Sequence, residues 1–347
     1  MTHGLEISGL IVEKPTIALL LGDPSGIGPE LVARLLAIEE VRRRANIYLI
    51  ADKEEFLKGQ RIAGLQVAFT ETDSFENADF SSDRPALFDN RSPVKRQFTD
   101  GRATAEGGRY CLNTMQMALD LTLNGRTDAV CYAPLNKTAL RLAGMTENDE
   151  MHWCARHIGY NDYFCELNVL KELWTARVTS HVALKDVSSL ITVERIIASI
   201  ELVDRSLKQA ATEIPHIGVA ALNPHAGDRG NFGREEIDVI APAVNRARNK
   251  GIRVDGPFAA DTIFLRGLSG EFDAIVTMYH DQGQIAMKLT GFDRGVTVLG
   301  GLPIPITTPA HGTAFDIMGK GRANVSAMRH AFDLAYRMGR QRRKSAL

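Results

Sequence analysis

The sequence predicts an α/β fold with largely parallel sheets. Its apolar runs are continuous rather than alternating, as in "IALLL" at residues 17–21, which is typical of a parallel strand covered on both faces. Segments with apolar residues at helical spacing lie between these runs, and a polar loop follows most of them. The chain of 347 residues is long enough for two domains of ordinary size.

The predicted elements alternate along the chain. A buried strand, a glycine-rich turn and a helix occupy "TIALLLGDPSGIGPELVARLLA", and "ANIYLIAD" is a second strand. A helical pattern in "GGRYCLNTMQMALDLTLNG" stops at Gly125, and "TDAVCYAPLNK" then runs from strand into loop. The later strand-to-loop segments are "ARVTSHVALKDV", "HIGVAALNPHAG" and "FDAIVTMYHDQG". Helical patterns separate them in "TVERIIASIELVDRSLKQA" and "EEIDVIAPAVNRARNKG".

Composition narrows the classes of function. Apolar residues make up 44% and charged residues 24%, which is the profile of a soluble globular protein. The formal net charge of -1 gives no basic field for nucleic acid, and the basic end "RMGRQRRKSAL" is expected to be a solvated terminus. We expect no signal peptide and no membrane span. The four cysteines form no CxxC pair, which fits a reducing cytoplasm.

Polar side chains cluster after the predicted strands. In open α/β sheets, ligands bind beyond the carboxyl ends of the strands, so these residues are candidates for a site. They are Asp23, Asn136, Lys137, His181, Asn223, His225, His280 and Asp281.

Three histidines stand out in this set. His181, His225 and His280 each follow an apolar run at its predicted C-terminal end. Three imidazoles on one rim could bind one divalent cation and leave positions open for substrate oxygens. The alternative is that each is an ordinary hydrogen-bonded loop histidine.

Two glycine-rich segments could contact a ligand. "LGDPSGIGPE" has glycines that permit close backbone approach, but it is neither GxGxxG nor a P-loop, and a tight strand-to-helix turn explains it equally well. "HGTAFDIMGKGRANV" combines three glycines with Asp316 and Lys320, a combination that suits a nucleotide. Asp261 in "DGPFAADTIF" is either a helix cap or a catalytic acid-base group.

Seven of these segments together resemble a known family. They are "GDPSGIGPE", "YAPLNK", "TSHVALKD", "LNPHAG", "DGPFAADTIF", "MYHDQG" and "HGTAFDIMGKGRANV", in this order between about residues 16 and 335. The chain resembles the 4-hydroxythreonine-4-phosphate dehydrogenase family of pyridoxal phosphate biosynthesis. The resemblance implies two α/β/α domains with a cleft between them, as in isocitrate and isopropylmalate dehydrogenases. The implied domains are residues 1–139 with 309–347, which carry the cofactor loop, and residues 140–308.

The resemblance also implies the ligands. It implies a homodimer with a shared active site, in which His181 and His225 of one subunit and His280 of the other bind a divalent metal. Imidazole ligands favour zinc, and magnesium, manganese and cobalt stay open. NAD is the implied cofactor; its implied contacts are His311, Gly312, Thr313, Ala314, Asp316, Gly319, Lys320 and Asn324. Asp261, Asp281 and Lys288 fall on positions associated with substrate and catalysis.

Four substrate positions depart from the family pattern. Glu150 and Met151 replace a His-Thr pair, Thr297 replaces an asparagine and Ile306 replaces a phosphate-contacting arginine. Loss of that arginine removes a charge-assisted contact, and a glutamate would repel a dianion. We therefore expect an unphosphorylated substrate. The remaining substrate positions are Asp23, Asn136, Lys137 and Lys288.

The predicted reaction is oxidation of a secondary alcohol beside a carboxylate. A related branch oxidises aromatic cis-dihydrodiol carboxylates such as that of terephthalate, and Met151 and Ile306 could line an apolar pocket for such a ring. Decarboxylation would follow where the new ketone is β to the carboxylate. The alternatives are a dehydrogenase of 4-hydroxythreonine 4-phosphate or of phosphorylated threonate or erythronate, a non-catalytic metal-binding homologue, and a kinase or transferase.

Overall fold

Strands and helices alternate along the whole described chain. The computed structural model describes residues 14–90, 98–291 and 294–346. The strands within these ranges are β1 (Thr16–Leu20), β2 (Asn46–Ala51), β3 (Thr70–Thr72), β4 (Ala86–Asp89), β5 (Ala129–Tyr132), β6 (Cys165–Leu170), β7 (Leu173–Arg177), β8 (Ile217–Ala220), β9 (Val254–Phe258), β10 (Ala274–Thr277), β11 (Val296–Gly300) and β12 (Ile306–Pro309).

The helices complete the alternation. They are α1 (Gly28–Ala37), α2 (Glu39–Arg44), α3 (Lys53–Ala63), α4 (Ala105–Leu123), α5 (Lys137–Leu142), α6 (Glu150–His157), α7 (Val187–Leu190), α8 (Val193–Gln209), α9 (Ala241–Asn249), α10 (Ala260–Leu268), α11 (His280–Gly291) and α12 (Ser326–Ala346). The predicted α/β class is confirmed.

All the described strands belong to one sheet. Its order is β3-β4-β2-β1-β5-β12-β11-β6-β7-β10-β8-β9. The strands from β3 to β12 pair in parallel, and so do those from β7 to β9. The sheet therefore has two parallel wings, and its centre connects them.

The centre of the sheet is antiparallel, which the sequence pattern did not predict. β11 pairs antiparallel with both β12 and β6, and β6 forms a hairpin with β7. The hairpin turn carries no glycine or asparagine; Lys171 adopts the left-handed conformation there, with φ 55. Because turn residues of the usual kind are missing, the sequence pattern gives no sign of a hairpin here.

Polar side chains cap the N-termini of several helices. Asp52 caps α3 by accepting hydrogen bonds from the backbone N–H groups of Glu54 and Glu55, at 3.0 and 3.3 Å. Thr104 caps α4, and Asn136 caps α5 through a 3.0 Å bond from Ala139 N–H. These caps satisfy N–H groups that have no partner inside the helix. They also fix where the loops beyond β2 and β5 turn.

The core covers both faces of the sheet. Every residue of β1 and of β5 is buried, as the continuous apolar runs predict. One cluster packs α1, α8 and α12 against the sheet, and a second packs α4 and α6. Side chains beyond the strand ends are thus held by a rigid base.

The basic C-terminal end is not a solvated tail. It continues α12, and the Arg342 guanidinium donates hydrogen bonds to the carbonyl oxygens of Thr122 and Thr127, at 2.8 and 3.1 Å. The predicted solvated terminus is therefore wrong for the part that the structure describes. Among the described helices, none is long and apolar enough to cross a membrane. The expectation that there is no signal peptide concerns residues 1–15, of which residues 1–13 lie outside the described residues.

Candidate active site

A cavity of about 230 Å³ opens at the antiparallel centre of the sheet. Its lining includes two of the predicted histidines, His181 and His280, and two of the predicted lysines, Lys137 and Lys288. Thr297 of β11 also lines it and is 5% exposed. Five of the predicted site residues therefore meet around one space, and two of them, His280 and Lys288, come from the same helix, α11.

The cavity wall also contains residues that the sequence analysis missed. Arg177, at the end of β7, is 7% exposed and donates hydrogen bonds to Asn168 Oδ1 at 2.8 Å and Ser180 Oγ at 2.9 Å. It also pairs with Glu166 of β6. Gln284 of α11 bonds to Asn168 as well. The available signal was a pair of polar residues two positions apart in each strand, Glu166 and Asn168 in β6 and Thr175 and Arg177 in β7, because such residues share one face of a strand.

Two of the three histidines come together within one chain. The ring centroids of His181 and His280 are 5.6 Å apart. His280 Nδ1 lies 2.7 Å from Asp281 Oδ1, so this carboxylate accepts from Nδ1–H and leaves Nε2 with its lone pair. The pair fits a metal site, because a carboxylate that orients a histidine is the usual support for a ligating imidazole.

His225 does not complete a three-ligand set in this chain. Across residues 14–90, 98–291 and 294–346, no three His, Cys, Asp or Glu side chains form a group that could hold a metal. His225 contacts Phe232 at 6.2 Å between ring centroids and begins five consecutive residues with positive φ, from 225 to 229. In this chain His280 lies beside its own His181, whereas the resemblance implies that His280 of the other subunit joins His181 and His225 at the metal.

The predicted acid-base residues are not equally placed. Asp281 is 72% exposed and borders the His181–His280 pair. Lys288 is exposed on α11 and lines the cavity. Asp261 lies in the first turn of α10, exposed, and is not among the residues that line the cavity. The N-cap of α10 is Ala259, so Asp261 is not the cap of this helix, and its catalytic role stays a prediction.

The two glycine-rich segments pack against each other. Ile27 N–H donates to the Thr313 carbonyl at 3.1 Å, and a Cβ on Gly26 would lie 2.8 Å from the Thr313 side chain. Asn136 Nδ2 is 3.4 Å from Thr313 Oγ1. The turn that looked ambiguous in the sequence therefore forms the support of the predicted cofactor loop.

Two charged residues of α1 hold the same loop. Glu30, 2% exposed, accepts from Ala323 N–H at 3.0 Å, and Arg34 donates to the Gly321 carbonyl at 2.8 Å. Gly319 has φ 76 and no atom within 4 Å of an added Cβ, so its backbone faces open space. A fixed loop with open backbone fits the close approach of a nucleotide.

The other predicted cofactor contacts lie along this loop. Ala314 has φ 43, a backbone conformation that is uncommon outside glycine. Asn324 Oδ1 accepts from Ser326 N–H at 2.9 Å at the start of α12. The remaining ones are His311, Gly312, Asp316 and Lys320, of which Gly312, Asp316 and Lys320 are exposed.

Asp23 lies beneath this loop, fully buried. Its Oδ1 accepts from Ser25 N–H at 2.9 Å, and its Oδ2 has no partner among the described residues. Burial raises the pKa of the Asp23 carboxyl above its ordinary value, and the hydrogen bonds from Ser25 lower it by less.

The expected apolar pocket is wrong. Met151 is 4% exposed and Ile306 is fully buried, and both belong to the core cluster beneath α4 and α6. Ile306 pairs with Val130 at the start of β12, so its side chain packs in the core instead of facing a ligand. Glu150 differs from both, because one of its oxygens is buried without a partner close to the charges of Lys137 and Glu166.

Comparison with known proteins identifies the family. Residues 43–335 match the family model described as pyridoxal phosphate biosynthetic protein PdxA. A Pseudomonas aeruginosa protein named "Putative 4-hydroxythreonine-4-phosphate dehydrogenase 2" is 57% identical, over 94% of this chain and 98% of that protein. The D-threonate 4-phosphate dehydrogenase of Salmonella typhimurium is 35% identical, over 94% of this chain and 100% of that protein.

Solved structures are similar to the chain as well. A 4-hydroxythreonine-4-phosphate dehydrogenase from Klebsiella pneumoniae is 33% identical with a TM-score of 0.82, covering 94% of this chain and 98% of that chain. A terephthalate 1,2-cis-dihydrodiol dehydrogenase from Burkholderia xenovorans is 25% identical with a TM-score of 0.65, covering 92% and 98%. The expected dihydrodiol substrate is not supported by these likenesses. The chain belongs to the PdxA family of pyridoxal phosphate biosynthetic proteins.

Proposed function

We propose that the protein is a dehydrogenase that oxidises a secondary hydroxyl of a phosphorylated hydroxy acid, of the 4-hydroxythreonine 4-phosphate or threonate 4-phosphate type. The observation that carries the proposal is the charge of the cavity. Lys137, Arg177 and Lys288 line it with one carboxylate, Glu166, to balance them. Cationic side chains in a partly buried space favour an acid that carries both a carboxylate and a phosphate.

These cationic side chains could replace the phosphate-contacting arginine whose position is taken by Ile306. Two other arginines, Arg294 and Arg229, are not among the cavity residues, and Arg294 lines a separate space of about 410 Å³. Lys137 is the first residue of α5, the helix that follows β5, and it lines the cavity. We assign the phosphate to Lys137 and the carboxylate to Arg177 and Lys288.

The proposal assigns residues to the metal and to the cofactor. His181 and His280, with His225 as a third candidate, would hold a divalent cation that polarises the substrate hydroxyl. NAD on the 311–324 loop would accept the hydride. Asp281 keeps His280 oriented, and its exposed carboxylate is within reach of solvent to carry the hydroxyl proton away. Decarboxylation follows if the new ketone is β to the carboxylate, with Lys288 stabilising the developing negative charge.

A homodimer is part of the proposal. Leu184, Ile285 and Leu289 are 70%, 59% and 84% exposed on the segments that carry His181 and His280. A second copy covering these side chains would bury apolar surface and bring its own His225 to the site.

The test is a dehydrogenase assay with NAD and each of zinc, magnesium, manganese and cobalt. D-threonate 4-phosphate and 4-hydroxythreonine 4-phosphate are compared with unphosphorylated D-threonate. We expect kcat/KM for a phosphorylated acid to exceed that for D-threonate by about a hundredfold, because a charge-assisted contact is worth about 1.5–3 kcal/mol. Equal turnover of both classes, or NADH from neither, would contradict the proposal.

A further inference from the structure

A second cavity, of about 410 Å³, is lined by residues of β6, β11, α2 and α12 and by the turn between β6 and β7. It shares Val169 and Val296 with the active-site cavity, and these two valines are register partners across β6 and β11. Sites for small molecules usually have volumes of roughly 300 to 1,000 Å³. The second cavity is therefore large enough for a small ligand, and none of the residues predicted for the metal, the cofactor or the substrate lines it.

Cationic side chains outnumber carboxylates around the second cavity. Two of the cations have a carboxylate partner in its wall: Arg44 pairs with Asp333, and Arg337 Nη1 lies 3.0 Å from Glu172 Oε2. The exposed ammonium of Lys171 has no such partner among the described residues. The lining therefore carries a surplus of positive charge; its charged side chains are Arg44, Lys171, Arg294, Arg337, Glu172 and Asp333.

Two of these cations meet at the mouth of the cavity. Arg337 bonds to Glu172, the residue that follows Lys171 in the hairpin turn, so Lys171 and Arg337 come to the same place from different elements. Glu172 is 83% exposed, and an ion pair as exposed as this one is weak. A guanidinium has five N–H donors, so Arg337 can bind an oxyanion whether or not it keeps Glu172.

The geometry of the turn does not require a lysine at position 171. Lys171 has φ 55, a left-handed backbone conformation that glycine and asparagine adopt more easily. Either of them would form the hairpin turn at least as well, but neither would bring a charge to the cavity. The ammonium group is therefore what lysine adds at this position.

The floor of the second cavity is apolar. Val169, Val296 and Leu334 line it and are almost fully buried. Tyr336 is half-buried beside them, and the Arg44 guanidinium lies 4.9 Å from the centroid of its ring. A ligand that fits this wall has an anionic group for the cations and an apolar body for the floor.

We propose that the second cavity binds an organic phosphate, with the phosphate group between Lys171 and Arg337 and the apolar body against Val296, Leu334 and Tyr336. Two cations at one place suit a dianion, and a guanidinium can bind two phosphate oxygens at once. The inference goes beyond the proposed function and does not depend on it, because no substrate, metal or nicotinamide cofactor takes part in this binding.

The test is calorimetry of phenyl phosphate binding to the full-length protein at about pH 8, where a phosphate monoester is a dianion. Lys171→Asn removes the charge and keeps a residue that tolerates the left-handed backbone. Arg337→Gln removes the other charge and breaks only an exposed ion pair. We expect Kd to rise by about tenfold to a hundredfold in each variant, because each loses a charge-assisted contact. Unchanged affinity in both variants would overturn the inference.

Two control variants locate the phosphate. Arg340→Gln removes an exposed cation from the same helix that does not line the cavity, and Kd should change by less than about twofold. Lys137→Met removes a cation of the active-site cavity and should also leave Kd unchanged. Binding that is lost in Lys137→Met but kept in Lys171→Asn and Arg337→Gln would place the phosphate in the active-site cavity and contradict the inference.

A second ligand tests the apolar floor. Inorganic phosphate should bind the wild type at least about tenfold more weakly than phenyl phosphate, because it buries no apolar surface. Equal affinity for the two would overturn the assignment to an organic phosphate, and a wild type that does not bind phenyl phosphate would overturn the site itself. Neither result bears on the proposed dehydrogenase activity, which turnover with NAD measures separately.

Discussion

The two sides of the candidate active site are built differently. The loop of residues 311–324 is tied to the N-terminal wing by Ile27, Glu30 and Arg34, and the groups that hold it are largely buried. The opposite rim carries His181, exposed, and Leu184, which is 70% exposed. The first side is held by contacts within one chain, whereas the second exposes histidines and apolar side chains, where we propose that a metal and a second copy bind.

The largest expected effect is a loss of turnover when a histidine of the exposed rim is replaced. His280→Ala should lower kcat by about a thousandfold, because polarisation by a bound cation is worth several kcal/mol. The melting temperature should hardly move, since His280 bonds to its own sequence neighbour, Asp281. Turnover and metal content of the purified protein are the measurements.

His330 supplies the control for that variant. It lies by the separate 410 Å³ space, with Nδ1 3.3 Å from the Arg294 carbonyl. His330→Ala should retain metal and turnover. Unchanged metal content in His280→Ala would remove the histidine from the ligand set, and His225→Ala then tests whether the third histidine contributes.

The next effect is on the buried side, and it concerns stability. A Cβ on Gly28 would overlap the Leu21 carbonyl oxygen, which is backbone and cannot move aside. Gly28→Ala should reduce the free energy of unfolding by about 3 kcal/mol or more, in the range of severe overpacking. Urea denaturation measures it.

Gly312 is the matched control for Gly28. It is exposed on the same side of the site, and no atom lies within 4 Å of an added Cβ. Gly312→Ala should change the free energy of unfolding by less than about 0.5 kcal/mol. Similar losses of unfolding free energy in both variants would show that the buried turn at Gly28 is packed no more tightly than the exposed loop at Gly312.

The contrast between the two sides also explains what the sequence could predict. The end of a strand can be recognised from a few adjacent residues. The apolar runs alone therefore placed His181, His280 and Lys137 at one edge of the sheet. The support of the cofactor loop joins Gly26 to Thr313, and no local pattern reports which distant loops touch. The assignment of Ile306 to the pocket failed for a related reason: a position in a motif does not tell which way a side chain on a central strand faces.

Arg177 shows a further limit. Its charge would be costly to bury unless Glu166 and Asn168 met it, and those partners depend on a hairpin whose turn residues gave no sign. Alternating polar residues could therefore have marked one face of each strand, but the sequence pattern gave no sign that β6 and β7 fold back on each other.

A moderate effect would sharpen the assignment of the phosphate. Lys137→Met should raise KM for D-threonate 4-phosphate about tenfold to a hundredfold, because one charge-assisted contact is worth about 1.5–3 kcal/mol, and should leave KM for D-threonate nearly unchanged. Lys53→Met is the control, since Lys53 is not among the cavity residues and pairs with Glu71 at 2.5 Å. An equal rise for both acids would move the phosphate away from Lys137.

The smallest effect concerns Asp23 and depends on pH. Because burial raises the pKa of this carboxyl in the folded protein, the stability associated with its protonated form is present below the ordinary value of 3.8 and is lost as pH rises through the folded-state pKa. Asp23→Asn cannot ionise, and its amide oxygen can still accept from Ser25 N–H. The variant should therefore gain stability relative to the wild type as pH rises from about 3 to 7. Paired urea titrations measure the difference, and a pH-independent difference would mean that Asp23 titrates alike in the folded and unfolded chains.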